Sequence, residues 1–218
     1  MGSAIAGKAR AGTWRTKLIC SPVEESRMKQ KPFPKYFRLL ICVALVLQCT
    51  AAFGAQSEDF PVGSELPKFA LPAPDSQEAQ KYLGLKTMDS FGLSDIGTKC
   101  VLIEFLSAMC PHCHANAPAV NRLYKVIQGD SALAKNVKLI GIAVGNDNKQ
   151  MEAFKKNFKV PFPIFPDAGY AVTGPMGGVD TPTMVLTTKD GKVLTSHIGV
   201  IEDFDGYLKE LREIVKKQ

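Results

Sequence analysis

The passage that most constrains this chain lies near its middle. The run Val101–Leu106, apolar except for Glu104, passes through Ser107-Ala108-Met109 into Cys110-Pro111-His112-Cys113. A short apolar run bounded by Gly97-Thr98-Lys99 on one side and the Cys-Pro pair on the other has the pattern of a buried central strand. Pro111 suits a first helical turn, where its missing N–H is no loss. The apolar positions Ala115, Ala119, Leu123 and Val126 follow at helical spacing, and Pro118 inside that helix predicts a kink. The passage therefore predicts strand, cysteine pair and helix in direct succession, with both cysteines at the mouth of the helix.

Elements downstream extend this unit. Val137–Val144 reads as a second buried strand, and Asn146-Asp147 opens a helix with Met151, Phe154 and Phe158 on one side. Strands separated by helices imply parallel pairing with a right-handed crossover. Thr183–Thr188, the Asp190-Gly191 turn and Val193–Ile198 then read as an antiparallel hairpin. A last amphipathic helix starts at Asp203, with Phe204, Leu208, Leu211 and Val215 facing inward. The order βαβα then ββα predicts a single α/β domain, a central mixed sheet with helices on both faces. The segment Pro72 to Phe91 carries no clear periodicity, and the chain has neither repeats nor low-complexity tracts.

Charge divides the chain unevenly. Its net charge is +6, yet residues 1–55 hold nine Lys/Arg against two acids, which leaves residues 56–218 with 18 bases and 19 acids. A body this close to neutral has no electrostatic footprint for phosphate backbones, so nucleic acid is not expected as a partner. From Met28 the sequence runs through a basic stretch, nine apolar residues (Leu39–Leu47) and the small residues of QCTAAFGAQ, which is the grammar of a signal peptide. Residues 28–55 are read as a signal peptide cleaved near Ala52 to Ala55, with an uncleaved membrane anchor or a lipid on Cys49 as alternatives. Residues 1–27 read as an upstream extension, with the true start at Met28, and residues 56–218 as the mature domain. The expected location is the periplasm or cell envelope. Export also sets the redox setting of the three mature cysteines, Cys100, Cys110 and Cys113, because disulfides persist outside the cytosol.

A helix N-terminus carries about half a positive charge, which stabilises a thiolate placed there. Cys110 is thus the expected attacking sulfur, and Cys113, three residues on, the expected resolving one. His112 between them, when protonated, adds a second favourable charge, and with Pro111 is expected to tune the pair. Cys100, at the far end of the strand, lies about 20 Å away at about 3.3 Å per residue and reads as a small buried hydrophobe. Thiol exchange needs no cofactor, and none is expected. Other readings share these residues. Cys110-Pro111-His112-Cys113-His114 satisfies the CxxCH haem-attachment pattern, and the two cysteines with a histidine suit zinc or copper, although a second ligand pair is missing. A peroxidatic PxxxTxxC pattern is not met, since Ser107 and Ile103 stand at its Thr and Pro places and no Arg occurs between Arg122 and Arg212. The alternatives to an exchanging enzyme are a redox-inert or copper-binding module and a peroxiredoxin-type thiol peroxidase.

The segment EFLSAMCPHC (Glu104–Cys113) resembles the active site of the thioredoxin superfamily, particularly the disulfide-donating DsbA family with its CPHC. The wider chain, from GSELPKF at Gly63–Phe69 through GVDTPT at Gly178–Thr183, is similar to the TlpA/ResA-like redoxins of the bacterial cell envelope. The resemblance covers about residues 60–217 and implies a thioredoxin-like fold and a thiol-disulfide oxidoreductase. Its implied partners are exported protein thiols and disulfides, apocytochrome c among them, and a membrane redox partner. Glu104, six residues before Cys110, takes the place of the family's buried carboxylate, which a desolvated strand position would make a proton carrier. Pro182 after Thr181 matches the cis-proline loop that presents backbone to a substrate. Met109 stands where these families carry an aromatic residue, so the substrate surface departs from their pattern. Scaffold and motif pull in opposite directions on potential. The sequence predicts an intermediate value, above about −220 mV, with the Cys110 pKa below the free-thiol value of about 8.5.

Overall fold

The structure, a computed structural model, describes residues 60–86 and 89–218. The signal peptide read over residues 28–55 and the stretch before it lie outside the described residues.

Five strands make one sheet: β1 Cys100–Leu106, β2 Val137–Val144, β3 Ile164–Asp167, β4 Thr183–Thr188 and β5 Val193–Ile198. Their order is β3-β2-β1-β4-β5, with β1 parallel to β2, β2 parallel to β3, and the β4–β5 hairpin added antiparallel to β1. The cysteine-bearing strand is therefore central, with every residue buried. The helices are α1 Gln77–Leu83, α2 Pro111–Gly129, α3 Ser131–Asn136, α4 Asn148–Phe158 and α5 Phe204–Lys216. Among the described residues no helix is long and apolar enough to cross a membrane.

The period of two along β1 divides the core. Cys100, Leu102 and Leu106 pack with Val120, Leu123 and Ile127 of α2, Phe154 of α4 and Leu208 of α5. Val101, Ile103 and Phe105 face the other way, against Phe60, Leu71, Phe91 and Leu83 of α1. Both faces are covered, as the sequence predicts, but unequally: α2 to α5 share one, while the other takes the seven-residue α1 and the irregular chain before β1. The Pro72 to Phe91 segment is tied down by α1, capped by the Ser76 side chain and ended by Gly84 at φ 68°, and by a bridge between Leu71 and Phe91.

Two sequence expectations need correcting. Strand β3 is absent from the βαβα–ββα reading: it is four residues long and contains Pro166, which an edge strand tolerates because its outer side has no ladder to serve. Of the apolar positions Ala115, Ala119, Leu123 and Val126, only Leu123 lies on the fully buried face of α2, which is Cys113, Asn116, Ala117, Val120, Leu123 and Ile127; Ala119 and Val126 pack at its margin and Ala115 is exposed. Three alanines in alternation carry no hydropathic contrast to fix the phase of the helix.

Candidate active site

Cys110 is the N-cap of α2 and Pro111 its first residue. This follows locally: the Cys110 N–H closes a turn on the Ser107 carbonyl at 3.1 Å, and proline holds the next φ ready for helix. The cap leaves Cys110 half-buried with its sulfur facing the helix N-terminus, where the Cys113 N–H donates to it at 3.3 Å. One turn in, Cys113 is fully buried, and its sulfur accepts the Ser107 N–H at 3.4 Å. Both thiols are free. Across the sheet end, the Thr181–Pro182 bond is cis, and the Thr181 carbonyl accepts the Cys110 thiol at 3.2 Å. The Pro182 carbonyl accepts the Gly199 N–H at 2.8 Å, which ties this loop to the end of β5.

The two sulfurs are electrostatically unequal. Desolvation pushes the Cys110 thiol up, but hydrogen bonds from the Cys113 thiol and N–H, with further ones at Thr181 and the His112 backbone, outweigh it and hold Cys110 below the ordinary thiol value. For Cys113 burial wins. Despite the Ser107 N–H, desolvation and the bond to Cys110 push it up to about 12.

Glu104 points to the α2 side of β1 and is 2% exposed. Desolvation raises its carboxyl from 4.5 to about 8, and a hydrogen bond from Asn116 opposes the rise. Asn116, also fully buried, donates from Nδ2 to Glu104 at 3.4 Å and accepts the Ile201 N–H on Oδ1 at 3.0 Å.

A second polar contact holds the turn before Cys110. The buried Asn146 accepts the Ala108 N–H at 2.7 Å, and Nε2–H of His114 donates to the Ala108 carbonyl at 2.8 Å. The His114 ring lies 4.9 Å from the Phe158 ring. The backbone of one residue, Ala108, is thus gripped on both sides, which sets where the Cys110 turn begins.

The residues singled out from the sequence fall into two groups. Cys110, Cys113, Thr181 and Pro182 converge at the C-terminal end of β1, with Glu104 beneath the helix. Met109, 74% exposed, and Pro111 lie on the surface beside them, and the exposed His112 reaches the Cys110 sulfur through its backbone. Cys100 is fully buried at the opposite end of β1. Asn116, Asn146 and the clamping role of His114 were not foreseen. The Cys113 to Asn116 spacing, one helical turn on the inward face, is the signal that marks Asn116. Among the described residues no group of three or more His, Cys, Asp or Glu side chains is placed to hold a metal ion.

A family model, Redoxin, matches residues 61–211, most of the chain. The chain belongs to the redoxin family. This redoxin is 26% identical over 175 residues to the thiol-disulfide oxidoreductase ResA of Bacillus cereus, covering 79% of this chain and 91% of that one. It is 27% identical over 184 residues to the protein of the same name from Bacillus anthracis, covering 80% and 96%. Among solved structures it resembles a Chlorobium tepidum protein named as a candidate thiol:disulfide interchange protein DsbE, with TM-score 0.56 and 20% identity over 72% of this chain and 99% of that one. That likeness is one of fold, and the redoxin has the thioredoxin-like fold.

Proposed function

We propose that this redoxin is a thiol-disulfide oxidoreductase that exchanges disulfides with cysteines of exported proteins, Cys110 attacking and Cys113 resolving. The observation that carries the reading is the inequality of the sulfurs. Cys110 is accessible and held below the ordinary thiol value, while Cys113 is buried and pushed up to about 12. Thiolate is the nucleophile, so attack starts at Cys110.

In the reducing direction the Cys110 thiolate attacks a substrate disulfide, one substrate sulfur leaves as thiolate and takes a proton, and a mixed disulfide forms. Cys113 then gives its proton to the Glu104 carboxylate, and its sulfur displaces the second substrate sulfur from Cys110. The enzyme pair is oxidised to a disulfide, the substrate gains two electrons, and the Glu104 proton is free to return to the departing thiolate. The oxidising direction is the reverse. Glu104 suits this part because a carboxyl near 8 exchanges protons close to neutral pH. Thr181 backbone, Pro182 and the exposed Met109 form the surface that a substrate strand meets, and a flexible, polarizable Met fits varied apolar peptide. His112 and Pro111 tune the pair through the helix start.

The leader over residues 28–55 supports export of the domain 56–218 to the periplasm or cell envelope, anchored or cleaved. The resemblance noted above supports apocytochrome c among the substrates and a membrane redox partner that resets the pair. In the test, Cys113→Ser accumulates mixed disulfides through Cys110, and Cys110→Ser traps none and loses insulin reduction. Equal trapping by both variants would reject the polarity, and an active Cys110→Ser would reject the enzyme.

A further inference from the structure

Asn116 has a fixed orientation that bears on the proton carrier. Its side chain is fully buried and makes hydrogen bonds to two groups, the Ile201 N–H at 3.0 Å and the Glu104 carboxyl at 3.4 Å. A backbone N–H only donates, so the amide atom it meets is the oxygen, and the NH₂ group is left facing Glu104. Reversing the amide would put NH₂ against N–H and orphan a buried donor, a costly arrangement. Ile201 in turn lies two residues beyond Gly199, whose N–H holds the Pro182 carbonyl, so the amide is anchored to the substrate-side loop.

The other groups around Glu104 supply no comparable donor. Cys113 is the ionisable group one turn before Asn116 on the buried face of α2, and on α5 there is Tyr207, whose hydroxyl is pushed above its ordinary value first by burial, then by Glu210 and Glu104. The His197 ring of β5 stands 5.6 Å from the Tyr207 ring and gives its hydrogen bond to the Val200 carbonyl. The sheet partners of Glu104 are Gly141 and Met184, which do not ionise.

We propose that Asn116 is a positioning residue of the exchange: locked by the Ile201 backbone, its amide presents N–H to Glu104 and keeps that carboxyl able to take the Cys113 proton. The inference rests on Glu104 being the proton carrier. A donor to the charged form favours ionisation, so its loss moves Glu104 further toward the neutral acid, which accepts no proton from Cys113.

The test measures release of the mixed disulfide against pH in single turnover, together with an NMR titration of the Glu104 carboxyl carbon. Asn116→Leu removes both bonds, while Asn116→Asp keeps the acceptor for Ile201 and guards against a folding failure of the first variant. Both should move the midpoint of Glu104 and of the release profile upward by about one pH unit, a tenfold change in its ionisation constant. Neither should alter the release rate in a Glu104→Gln background. A Glu104 titration unmoved by Asn116→Asp overturns the proposal, as does an effect of equal size in the Glu104→Gln background. Unchanged release in Glu104→Gln alone defeats the proton-carrier reading instead, and the NMR titration still judges Asn116.

Discussion

Replacing Glu104 by Gln should make the protein's stability less sensitive to pH, and the size of the change follows from the burial of one carboxyl. In the folded chain Glu104 titrates at about 8, chiefly through desolvation, against an ordinary value of 4.5. Between those values the native state binds a proton that the unfolded chain has released. Stability from this group is thus complete below about pH 4.5 and is lost as pH rises through 8. A gap of roughly 3.5 units at about 1.4 kcal/mol per unit amounts to about 5 kcal/mol. Gln has nearly the same shape, keeps an oxygen for the Asn116 amide and does not titrate. Urea unfolding of both proteins at pH 5 and pH 9 isolates the term, because every other group is common to the two. Roughly 3 of those units lie between pH 5 and the folded value, so the difference, Glu104→Gln minus parent, should rise by about 4 kcal/mol in favour of the variant between pH 5 and pH 9. Parallel stability curves across that range would refute the reasoning, since they would mean that Glu104 ionises alike in the folded and unfolded chain.

Further outcomes follow from the same geometry. In the folded protein iodoacetamide at pH 7 should label Cys110 and spare Cys113, by mass spectrometry; equal labelling would contradict the depth and protonation of the resolving thiol. His112→Ala keeps the backbone N–H at the Cys110 sulfur and removes only an exposed ring, so the expectation drawn from the sequence shrinks. Loss of an exposed charge partner, about 1 kcal/mol at most, lowers the potential by about 20 mV and raises the Cys110 pKa by less than about one unit. A shift near 100 mV in redox equilibration with glutathione would restore the ring as the main source of oxidising power. Asn146→Ala should cost about 1–3 kcal/mol in urea unfolding by stranding the half-buried Ala108 N–H, and a loss within error would show that water replaces the side chain.

What the sequence by itself determined is local in origin. The buried run of β1, proline at the first position of α2, the β4–β5 hairpin and the inward line of α5 are each written within about a dozen residues, where periodicity and capping act. From these follow a cysteine pair at a helix N-terminus and a glutamate on a buried strand, hence the chemistry. The tertiary structure decided what depends on partners distant in sequence. Strand β3 exists because β2 offers it a ladder. The phase of α2 follows from packing on the sheet, since its alanines look alike to hydropathy. The inequality of the sulfurs rests on the depth of Cys113 and on the hydrogen bonds that converge on Cys110, chiefly from Cys113 and also from Thr181 far along the chain. Asn116 and Asn146 are unremarkable polar letters until burial removes water, and each then becomes the partner of a group far along the chain, Ile201 for one and Ala108 for the other. Burial is a property of the assembled fold, and it is burial that turns Glu104 from an acid into a neutral-pH proton carrier.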